Sequence, residues 1–341
     1  MDEPETFDVL VIGAGPTGLA CAIEAQKAGL RAVIVEKGCL VNSLFHYPAG
    51  MTFFTTPELL EIGDIPFPSP HQKPTRQEAL EYYRKVAEQY RLPLRLYHRV
   101  ERVEGADGDF RVHAVSLHQR ACQFRPRKLV LATGYYDLPN LLHTPGEDLP
   151  KVFHYYREPH PYFGCDVVVI GGKNSAAIAA LDLWRHGARV SLVHRESGLH
   201  SHVKYWIKPD LENRIKARQI TAYFNSSVTA IEVDAVMLNT PGGDWRIAND
   251  FVFAMTGYHP DFTFLRKLGV ELKAGPTAIE RGYPGEDDLA PACDPQTLES
   301  NVPGIYLAGV IVAGSRTNEI FIENGRLHGK QIAADLRKKL S

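Results

Sequence analysis

The sequence predicts an α/β fold in which two strand–turn–helix units occur in one chain. An apolar strand, Asp8 to Ile12, runs into the glycine-rich turn Gly13 to Gly18, and a second strand, Asp166 to Ile170, runs into the turn Gly171 to Ala176. Each unit is followed further along by an apolar strand that ends in Thr-Gly. Strands that alternate with helices in this way are typical of parallel sheets covered by helices. We therefore expect two α/β domains.

The composition agrees with two ordinary globular domains. Of the 341 residues, 44% are hydrophobic and 23% are charged, and the net charge is −2. At roughly 100–200 residues per domain, this length suggests two domains, and the near-neutral charge argues against nucleic acid as a partner. The sequence has no apolar run of about 18 residues and no basic, apolar leader, so we expect no membrane span and a cytoplasmic protein. The five scattered cysteines form no Cys-x-x-Cys pair, which fits reduced thiols.

The first unit has the residues that a dinucleotide site requires. Gly13 permits the tight turn, Gly15 lets the backbone approach a pyrophosphate, and Gly18 allows close packing of the helix on the strand. The start of the helix presents free N–H groups and a positive dipole end to the phosphates. Glu36 ends the next strand, where its carboxylate can bind ribose hydroxyls and repels a 2′-phosphate. This Rossmann-like unit therefore favours FAD or NAD over NADP.

The second unit repeats the pattern with two changes and a basic end. Lys173 stands at the usual second glycine and Ala176 at the third. Its second strand leads to His194-Arg195, and the Arg195 guanidinium can bind a 2′-phosphate bidentately, with Lys204 adding a point charge. The unit therefore favours NADPH. His194, His200 and His202 lie close together in the sequence. No carboxylate or cysteine has the spacing of a metal-ligand set with them, so we expect no metal.

The later segments carry a resemblance to a known architecture. Strands ending in Ala132-Thr-Gly134 and Thr256-Gly257 follow the two units, and Gly304–Gly309 and Asn318–Gly325 come near the C-terminus. This order resembles the two-dinucleotide-binding-domain flavoproteins, and the short length resembles their thioredoxin-reductase branch. The resemblance implies three-layer ββα FAD/NAD(P)-binding folds, with the NADPH domain inserted in the FAD domain. The implied FAD domain is 1–148 plus 254–341, and the implied NADPH domain is 149–253.

Longer strings resemble a narrower group, the YpdA-type bacillithiol disulfide reductases. They include Phe45-His-Tyr-Pro48, Met51-Thr-Phe-Phe54, His160-Pro-Tyr-Phe-Gly164, Gly171-Gly-Lys-Asn-Ser-Ala176 and Asn318-Glu-Ile-Phe-Ile-Glu-Asn-Gly325. This second resemblance implies FAD and NADPH as cofactors, a small-molecule disulfide or a redox carrier protein as partner, and a homodimer. The stretch Phe153 to Phe163 lacks the Cys-x-x-Cys pair of thioredoxin reductases, so the chain is not one of them.

The motifs and the resemblance together give a set of candidate cofactor residues. For FAD they are Gly13, Gly15, Pro16, Thr17, Gly18, Glu36, Lys37, Asn42, His46, Tyr47, Val100, Ala132, Thr133, Gly134, Gly309, Glu319, Ile320 and Phe321. For NADPH they are Gly171, Gly172, Lys173, Asn174, Ser175, Ala176, His194, Arg195, Lys204, Thr256 and Gly257. His46, Tyr47, Phe53 and Phe54 either line the flavin region or pack in the core, and the sequence leaves both interpretations open.

One departure from the resemblance affects the chemistry. YpdA-type proteins usually carry a cysteine within the first glycine motif, and this chain has Thr17 there. A hydroxyl cannot form a mixed disulfide, because exchange requires a thiolate. Cys39, in the loop after Glu36, is therefore the best-placed catalytic thiol, whereas Cys21 on the first helix is expected to be a small buried residue.

The resulting functional prediction is hydride transfer from NADPH to FAD and then to a low-molecular-weight disulfide. Hydride transfer from nicotinamide C4 to flavin N5 needs no side-chain acid or base, so the first half-reaction follows from the two sites alone. The alternatives are an NADPH-dependent reductase of ferredoxin, flavodoxin or a quinone, a flavin monooxygenase, and a sensor that binds both nucleotides without turnover.

Overall fold

The chain forms two compact units in the computed structural model, which describes residues 5–274 and 288–341. The first unit comprises Met1–His46, Gly50–Leu138 and Tyr258–Ser341. The second unit comprises Tyr47–Ala49 and Pro139–Gly257. The second unit is thus inserted in the sequence of the first, and its main segment is wider at both ends than the range 149–253.

The first part of the first unit alternates strands with helices and then continues as an antiparallel meander. Its strands are β1 Glu5–Ile12, β2 Ala32–Val35, β3 Leu94–Arg95, β4 His98–Ala106, β5 Asp109–Ser116 and β6 Ala121–Leu131. Its helices are α1 Pro16–Lys27, α2 Asn42–His46 and α3 Arg76–Gln89, with a 3₁₀ helix at Pro57–Leu59.

The second unit contains a five-stranded sheet and a smaller three-stranded one. Its strands are β7 Val152–Phe153, β8 Asp166–Ile170, β9 Arg189–Val193, β10 Thr221–Tyr223, β11 Ser227–Ile231, β12 Ala235–Thr240, β13 Gly243–Ala248 and β14 Phe251–Ala254. Its helices are α4 Asn174–Arg185 and α5 Lys208–Lys216, with a 3₁₀ helix at His160–Tyr162.

The remaining elements return to the first unit. The strands are β15 Leu272–Ala274, β16 Leu289–Pro291 and β17 Ile305–Leu307. The helices are α6 Phe262–Lys267, α7 Ile322–Gly325 and α8 His328–Leu340, with a 3₁₀ helix at Gly309–Ala313. Within residues 5–274 and 288–341, no helix is both long and apolar enough to cross a membrane.

The main sheet is mostly parallel in the first unit and wholly parallel in the second. In each unit the glycine turn follows a strand near the centre of that sheet. In the first unit the order is β3-β2-β1-β6-β5-β4, and β17 also pairs with β6. The strands β1, β2, β3, β6 and β17 are parallel neighbours, and β4, β5 and β6 are antiparallel. In the second unit the order β10-β9-β8-β14-β7 is parallel throughout. The prediction of two Rossmann-like folds is confirmed.

The parallel strands are apolar on both faces, as buried parallel sheets require. All four residues of β2 are buried, and so are the last four of β1 and of β8. Helix α1 starts directly after Gly15 because Pro16 suits the first helical turn, where a missing N–H costs nothing. Ligands bind such sheets beyond the carboxyl ends of the central strands, so the turns after β1 and β8 are the places to examine.

Candidate functional site

The first glycine turn is tightly constrained at two glycines and open at the third. Gly13 has a φ of +111°, and a Cβ there would overlap the carbonyl oxygen of Ala132. A Cβ on Gly18 would overlap the carbonyl oxygen of Gly13. Gly15 is extended, with φ −70° and ψ 171°, and nothing lies within 4 Å of a Cβ built on it. The protein therefore uses Gly13 and Gly18 for its own packing and leaves a free approach at Gly15, as a bound pyrophosphate requires.

Glu36 holds this turn to the end of β2. Its side chain is 7% exposed. One carboxylate oxygen accepts the N–H of Ala14 at 2.8 Å, and the other accepts the N–H of Gly38 at 2.7 Å. Burial raises the pKa of Glu36, while the two backbone N–H groups act in the opposite direction. Each oxygen keeps a further lone pair, so the carboxylate can accept ribose hydroxyls while it keeps these bonds.

A salt bridge links the residue after Glu36 to the segment after β6. The Nζ atom of Lys37 lies 2.9 Å from the Asp137 carboxylate. Nearby, helix α2 begins at Asn42 and ends at His46, whose Nδ1 lies 2.8 Å from the Asn42 carbonyl oxygen. The hydroxyl of Tyr136 donates to the His46 carbonyl at 3.4 Å. The structure thus joins the loop after β2, helix α2 and the chain after β6.

The Ala132–Gly134 segment continues β6 beside the first turn. The N–H of Ala132 donates to Ile12 at the end of β1 at 2.8 Å, and Thr133 follows within van der Waals reach of the Gly13 position. Gly134 has a φ of +69°, which glycine adopts without strain. These residues lie at the carboxyl end of the parallel strands, where the sequence predicts them.

Thr17 contacts the turn that follows β17. A Cβ built on Gly309 would lie 3.2 Å from the Thr17 hydroxyl oxygen, and one on Gly325 would lie 3.0 Å from it. The N–H of Ala308 donates to Leu131 at 2.8 Å, so the end of β17 is fixed to the end of β6. The structure therefore brings Thr17 and Gly309 together, as expected for two parts of one site.

The predicted segment Glu319 to Phe321 is organised by a residue that the sequence analysis did not select. The Asn324 side-chain oxygen accepts the N–H of Phe321 at 2.7 Å, and its amide donates to the Glu319 carbonyl at 3.0 Å. The Arg316 guanidinium lies 3.3 Å from the Glu319 carboxylate. The Phe321 ring remains 47% exposed.

Two other predicted FAD residues are Tyr47 and Val100. Tyr47 belongs to the second unit, whereas His46 belongs to the first. Val100 lies in β4, where it pairs with Ala114 in the antiparallel part of the sheet and packs partly buried against the core of the first unit.

The surroundings of Cys39 raise its pKa overall. The side chain is partly buried, and its Sγ donates to the Asn42 side-chain oxygen at 3.5 Å. Burial raises the pKa of Cys39 and the Glu36 carboxylate adds to this effect, while a backbone N–H and the Arg76 guanidinium act in the opposite direction. Cys21 is buried as expected, and burial raises its pKa to about 12. Cys39 therefore favours the thiol form, whereas reactive cysteines have a lowered pKa.

The second glycine turn follows the same construction. Gly171 has a φ of +139°, and a Cβ on it would lie 2.5 Å from the Met255 carbonyl oxygen. A Cβ on Gly172 would overlap the ring of His194. Lys173 stands in extended backbone with φ −102°, which any residue adopts. This conformation explains why the turn accepts lysine at the usual second glycine. Ser175 and Ala176, which the sequence analysis places in the turn, already lie in α4, and Ala176 is buried.

The loop after β9 is bonded to this turn. The Asn174 side-chain oxygen accepts the N–H of Lys204 at 3.0 Å, and its amide donates to the His202 carbonyl at 3.1 Å. The N–H of His200 donates to the Gly172 carbonyl at 3.0 Å. Asn174 was predicted to bind nucleotide. In the structure its side chain is instead hydrogen-bonded to the backbone of the loop after β9.

The basic end of β9 lies beside the same turn. Burial lowers the pKa of His194, and the neighbouring charges of Arg195 and Lys173 lower it further, against the Glu196 carboxylate. Arg195 is exposed, and the Lys204 ammonium lies 5.8 Å from the centre of the Trp206 ring. Within residues 5–274 and 288–341, no cluster of three metal-ligating side chains is present.

Thr256 and Gly257 are held by a residue that sequence analysis also missed. The Thr256 hydroxyl donates to the Asn140 carbonyl at 2.5 Å, and the Asn140 amide donates back to the Thr256 carbonyl at 3.3 Å. The N–H of Asn140 donates to Gly257 at 2.9 Å. A polar residue next to Pro139 is a weak signal in sequence, because its partner lies more than one hundred residues along the chain.

Two glycine turns at the carboxyl ends of two parallel sheets define an enzyme with two dinucleotide-binding units. Residues 10–309 match the family described as pyridine nucleotide-disulphide oxidoreductase, and the chain belongs to this family.

Individual relatives match over nearly the whole length. The bacilliredoxin reductase Bdr of Bacillus subtilis (strain 168) is 43% identical over 331 residues, which cover 97% of each chain. A solved structure of the bacillithiol disulfide reductase Bdr (YpdA) from Bacillus cereus has a TM-score of 0.92 and 41% identity, covering 98% of this chain and 100% of that one. The corresponding structure from Staphylococcus aureus has a TM-score of 0.92 and 39% identity, covering 99% and 100%.

The chain is therefore a pyridine nucleotide-disulfide oxidoreductase that uses FAD and NAD(P)H. The residues present fit these groups. The open approach at Gly15 and the Glu36 carboxylate can hold the FAD pyrophosphate and adenosine ribose. The turn after β8 has Lys173 at the position of Gly15, and His194 and Arg195 give it a basic edge.

Proposed function

We propose that this oxidoreductase prefers NADPH and passes its electrons to a low-molecular-weight disulfide of the bacillithiol type. The observation that supports the acceptor is the similarity to proteins named bacillithiol disulfide reductase, at 41% and 39% identity over essentially the whole chain. The net reaction consumes NADPH, one proton and the disulfide, and it yields NADP⁺ and two thiols. A reduced cytoplasm suits both the thiol products and the five free cysteines.

The protein residues bind and orient the reactants in this proposal. Bound FAD supplies the two-electron redox chemistry. Gly15 admits the FAD pyrophosphate to the start of α1, and Glu36 accepts the adenosine ribose. Thr17 and Gly309 pack on each other at the far side of the same turn, where they shape the space beside the flavin.

Cys39 is the candidate thiol of the second half-reaction, because position 17 carries a hydroxyl. The raised pKa of Cys39 opposes this role. A thiol that attacks the disulfide would have to lose its bond to Asn42 and its proton first. The competing route needs no protein thiol, and electrons then leave the flavin directly for the disulfide.

Anaerobic stopped-flow experiments test the acceptor. The NADPH-reduced protein is mixed with bacillithiol disulfide, oxidised glutathione, ferredoxin, flavodoxin or a quinone. Fast reoxidation by bacillithiol disulfide alone supports the proposal, and fast reoxidation only by a one-electron carrier or a quinone overturns it. The variant Cys39→Ser decides between the two routes, with Cys122→Ser as the matched control, since Cys122 lies in the part of β6 that pairs antiparallel with β5.

A second acceptor is favoured by a separate observation. The Bacillus subtilis relative, 43% identical, is named a bacilliredoxin reductase. The same stopped-flow assay with a bacilliredoxin mixed disulfide tests it. Reoxidation by that protein but not by free bacillithiol disulfide would make the redox carrier protein, and not the small molecule, the electron acceptor.

The NADPH preference is proposed from Arg195 and its basic neighbours. The exposed Arg195 follows His194 at the end of β9, where a 2′-phosphate would meet its guanidinium. The variant Arg195→Ala should weaken the binding of NADPH at least about tenfold and leave the binding of NADH nearly unchanged. Arg218→Ala, an exposed arginine of the same unit, serves as the control. Equal losses for both coenzymes would contradict the assignment.

We further propose that the protein is a homodimer. Leu59 and Leu327 are 43% and 54% exposed on the first unit. The Arg326 guanidinium donates to the carbonyls of Glu58 and Glu61 at 2.9 and 2.7 Å. These bonds join the two segments that carry the exposed leucines. Sedimentation equilibrium of the wild type and of Leu327→Glu tests this state. A monomeric wild type would refute it.

A further inference from the structure

The turn after β17 is fixed by a histidine side chain. Gly309 has a φ of +79°, a conformation that favours glycine. Its backbone N–H donates to Nδ1 of His328 at 3.0 Å. Because Nδ1 accepts this bond, it carries no proton, and the ring is the neutral tautomer with its proton on Nε2. His328 thus supplies the acceptor that this turn would otherwise lack.

The groups around this hydrogen bond pack closely against one another. Thr17 on α1 touches both Gly309 and Gly325, where added Cβ atoms would lie 3.2 and 3.0 Å from its hydroxyl oxygen. The residue after the histidine, Gly329, would bring a Cβ within 2.7 Å of the Ala20 carbonyl oxygen. The start of α8 is therefore pressed against α1. A shift of Gly309 toward α1 would meet Thr17, which belongs to the first glycine turn.

The geometry points to His328 as a positioning residue of the FAD site, which acts by accepting the Gly309 N–H and so holds that turn against Thr17. This inference rests on the proposed assignment of Thr17 and Gly309 to FAD. His328 lies at the start of the last helix, outside both glycine motifs, and contacts the site through the backbone N–H of Gly309. Burial lowers the pKa of His328, which keeps the ring in the accepting form.

Three substitutions test whether His328 acts by accepting this hydrogen bond or only by filling space. His328→Asn places an amide oxygen near the position of Nδ1, and His328→Gln places its oxygen near the position of Nε2. His328→Leu removes the acceptor altogether. The holoenzyme variants are diluted, and FAD release is followed by the rise of flavin fluorescence. The midpoint potential of bound FAD is measured in parallel by spectroelectrochemistry.

We expect His328→Leu and His328→Gln to release FAD about tenfold faster or more, since an unpaired buried N–H is costly. His328→Asn should remain within about threefold of the wild type, and its flavin potential should also stay near the wild-type value. If His328→Leu fails to fold, the comparison of the Asn and Gln variants decides. Equal release from those two variants would overturn the inference.

This outcome is distinct from failure of the proposed function. A wild-type protein that binds no FAD, or whose FAD is not reduced by NADPH, would refute the assignment of the site. A normal wild type together with normal FAD release from both the Leu and Gln variants would refute the role of His328 alone. Binding of 2′,5′-ADP, which reports on the second glycine turn, should be the same in all of the variants.

Discussion

Asn174 holds Lys204: the side-chain oxygen of Asn174 accepts the backbone N–H of Lys204 at 3.0 Å. The same amide group donates to the His202 carbonyl. Both polar atoms of the side chain are therefore used within the protein. The residue that starts α4, next to the second glycine turn, fixes the loop that carries the basic side chain of Lys204.

The variant Asn174→Ala should weaken binding of 2′,5′-ADP about tenfold, because two hydrogen bonds to the loop are lost. Isothermal titration calorimetry measures the change. Asn213→Ala, at an exposed position of α5 in the same unit, is the control and should bind normally. If both variants bind like the wild type, the loop does not depend on Asn174.

The two glycines of the first turn should respond differently to alanine. Gly15→Ala should leave the free energy of unfolding within about 1 kcal/mol of the wild type, because a Cβ there meets nothing within 4 Å. It should nevertheless weaken FAD binding at least about tenfold, because the methyl group occupies the approach of the pyrophosphate.

Gly13→Ala should instead destabilise the protein itself. Its φ of +111° costs an alanine about 1–3 kcal/mol, and the methyl group also overlaps the Ala132 carbonyl. Urea unfolding of both variants in the absence of added FAD measures the difference. A Gly13→Ala protein as stable as Gly15→Ala would mean that the turn can rearrange.

The sequence was sufficient to predict features whose cause is local. The turn at Gly13 and the buried strand β2 follow from residue types and spacing within one βαβ unit, and the family resemblance gave the insertion of the second unit. The positive φ of Gly13 and Gly171 is also a local requirement. These features need no knowledge of which distant segments meet.

The partners that organise the site were harder to predict. The contacts of Asp137 with Lys37, of His328 with Gly309 and of Asn140 with Thr256 join segments that only the completed fold brings together. The role of Asn174 could not be predicted for a different reason. Its position in the motif is correct, but its orientation depends on the course of the loop after β9.

Cys21 should resist alkylation in the folded protein. The side chain is 3% exposed, and burial raises its pKa to about 12. At pH 8 the reactive thiolate is then about one part in 10⁴. Iodoacetamide labelling followed by peptide mass spectrometry should show Cys21 unmodified in buffer and modified in urea. The partly exposed Cys122 should be labelled in both conditions. Labelling of native Cys21 as fast as Cys122 would contradict the buried position.

His194 should make the stability of the second unit depend on pH. Burial lowers the pKa of His194 below the ordinary 6.5, and the nearby Arg195, His200 and Lys173 act in the same direction, against the Glu196 carboxylate. The unfolded chain therefore takes up a proton at a higher pH than the folded chain. The folded state has its full stability above about pH 6.5 and loses part of it as the pH falls from there to the lowered pKa.

The variant His194→Gln removes this titration. We expect its melting temperature to fall less than that of the wild type between pH 7.5 and pH 5.5 (about one unit on each side of 6.5). Differential scanning calorimetry across this range measures both slopes. His118→Gln, at an exposed position of the first unit, should keep the wild-type slope. Because His194 packs directly on Gly172, identical slopes for His194→Gln and the wild type would mean that the ring leaves this contact before it takes up a proton.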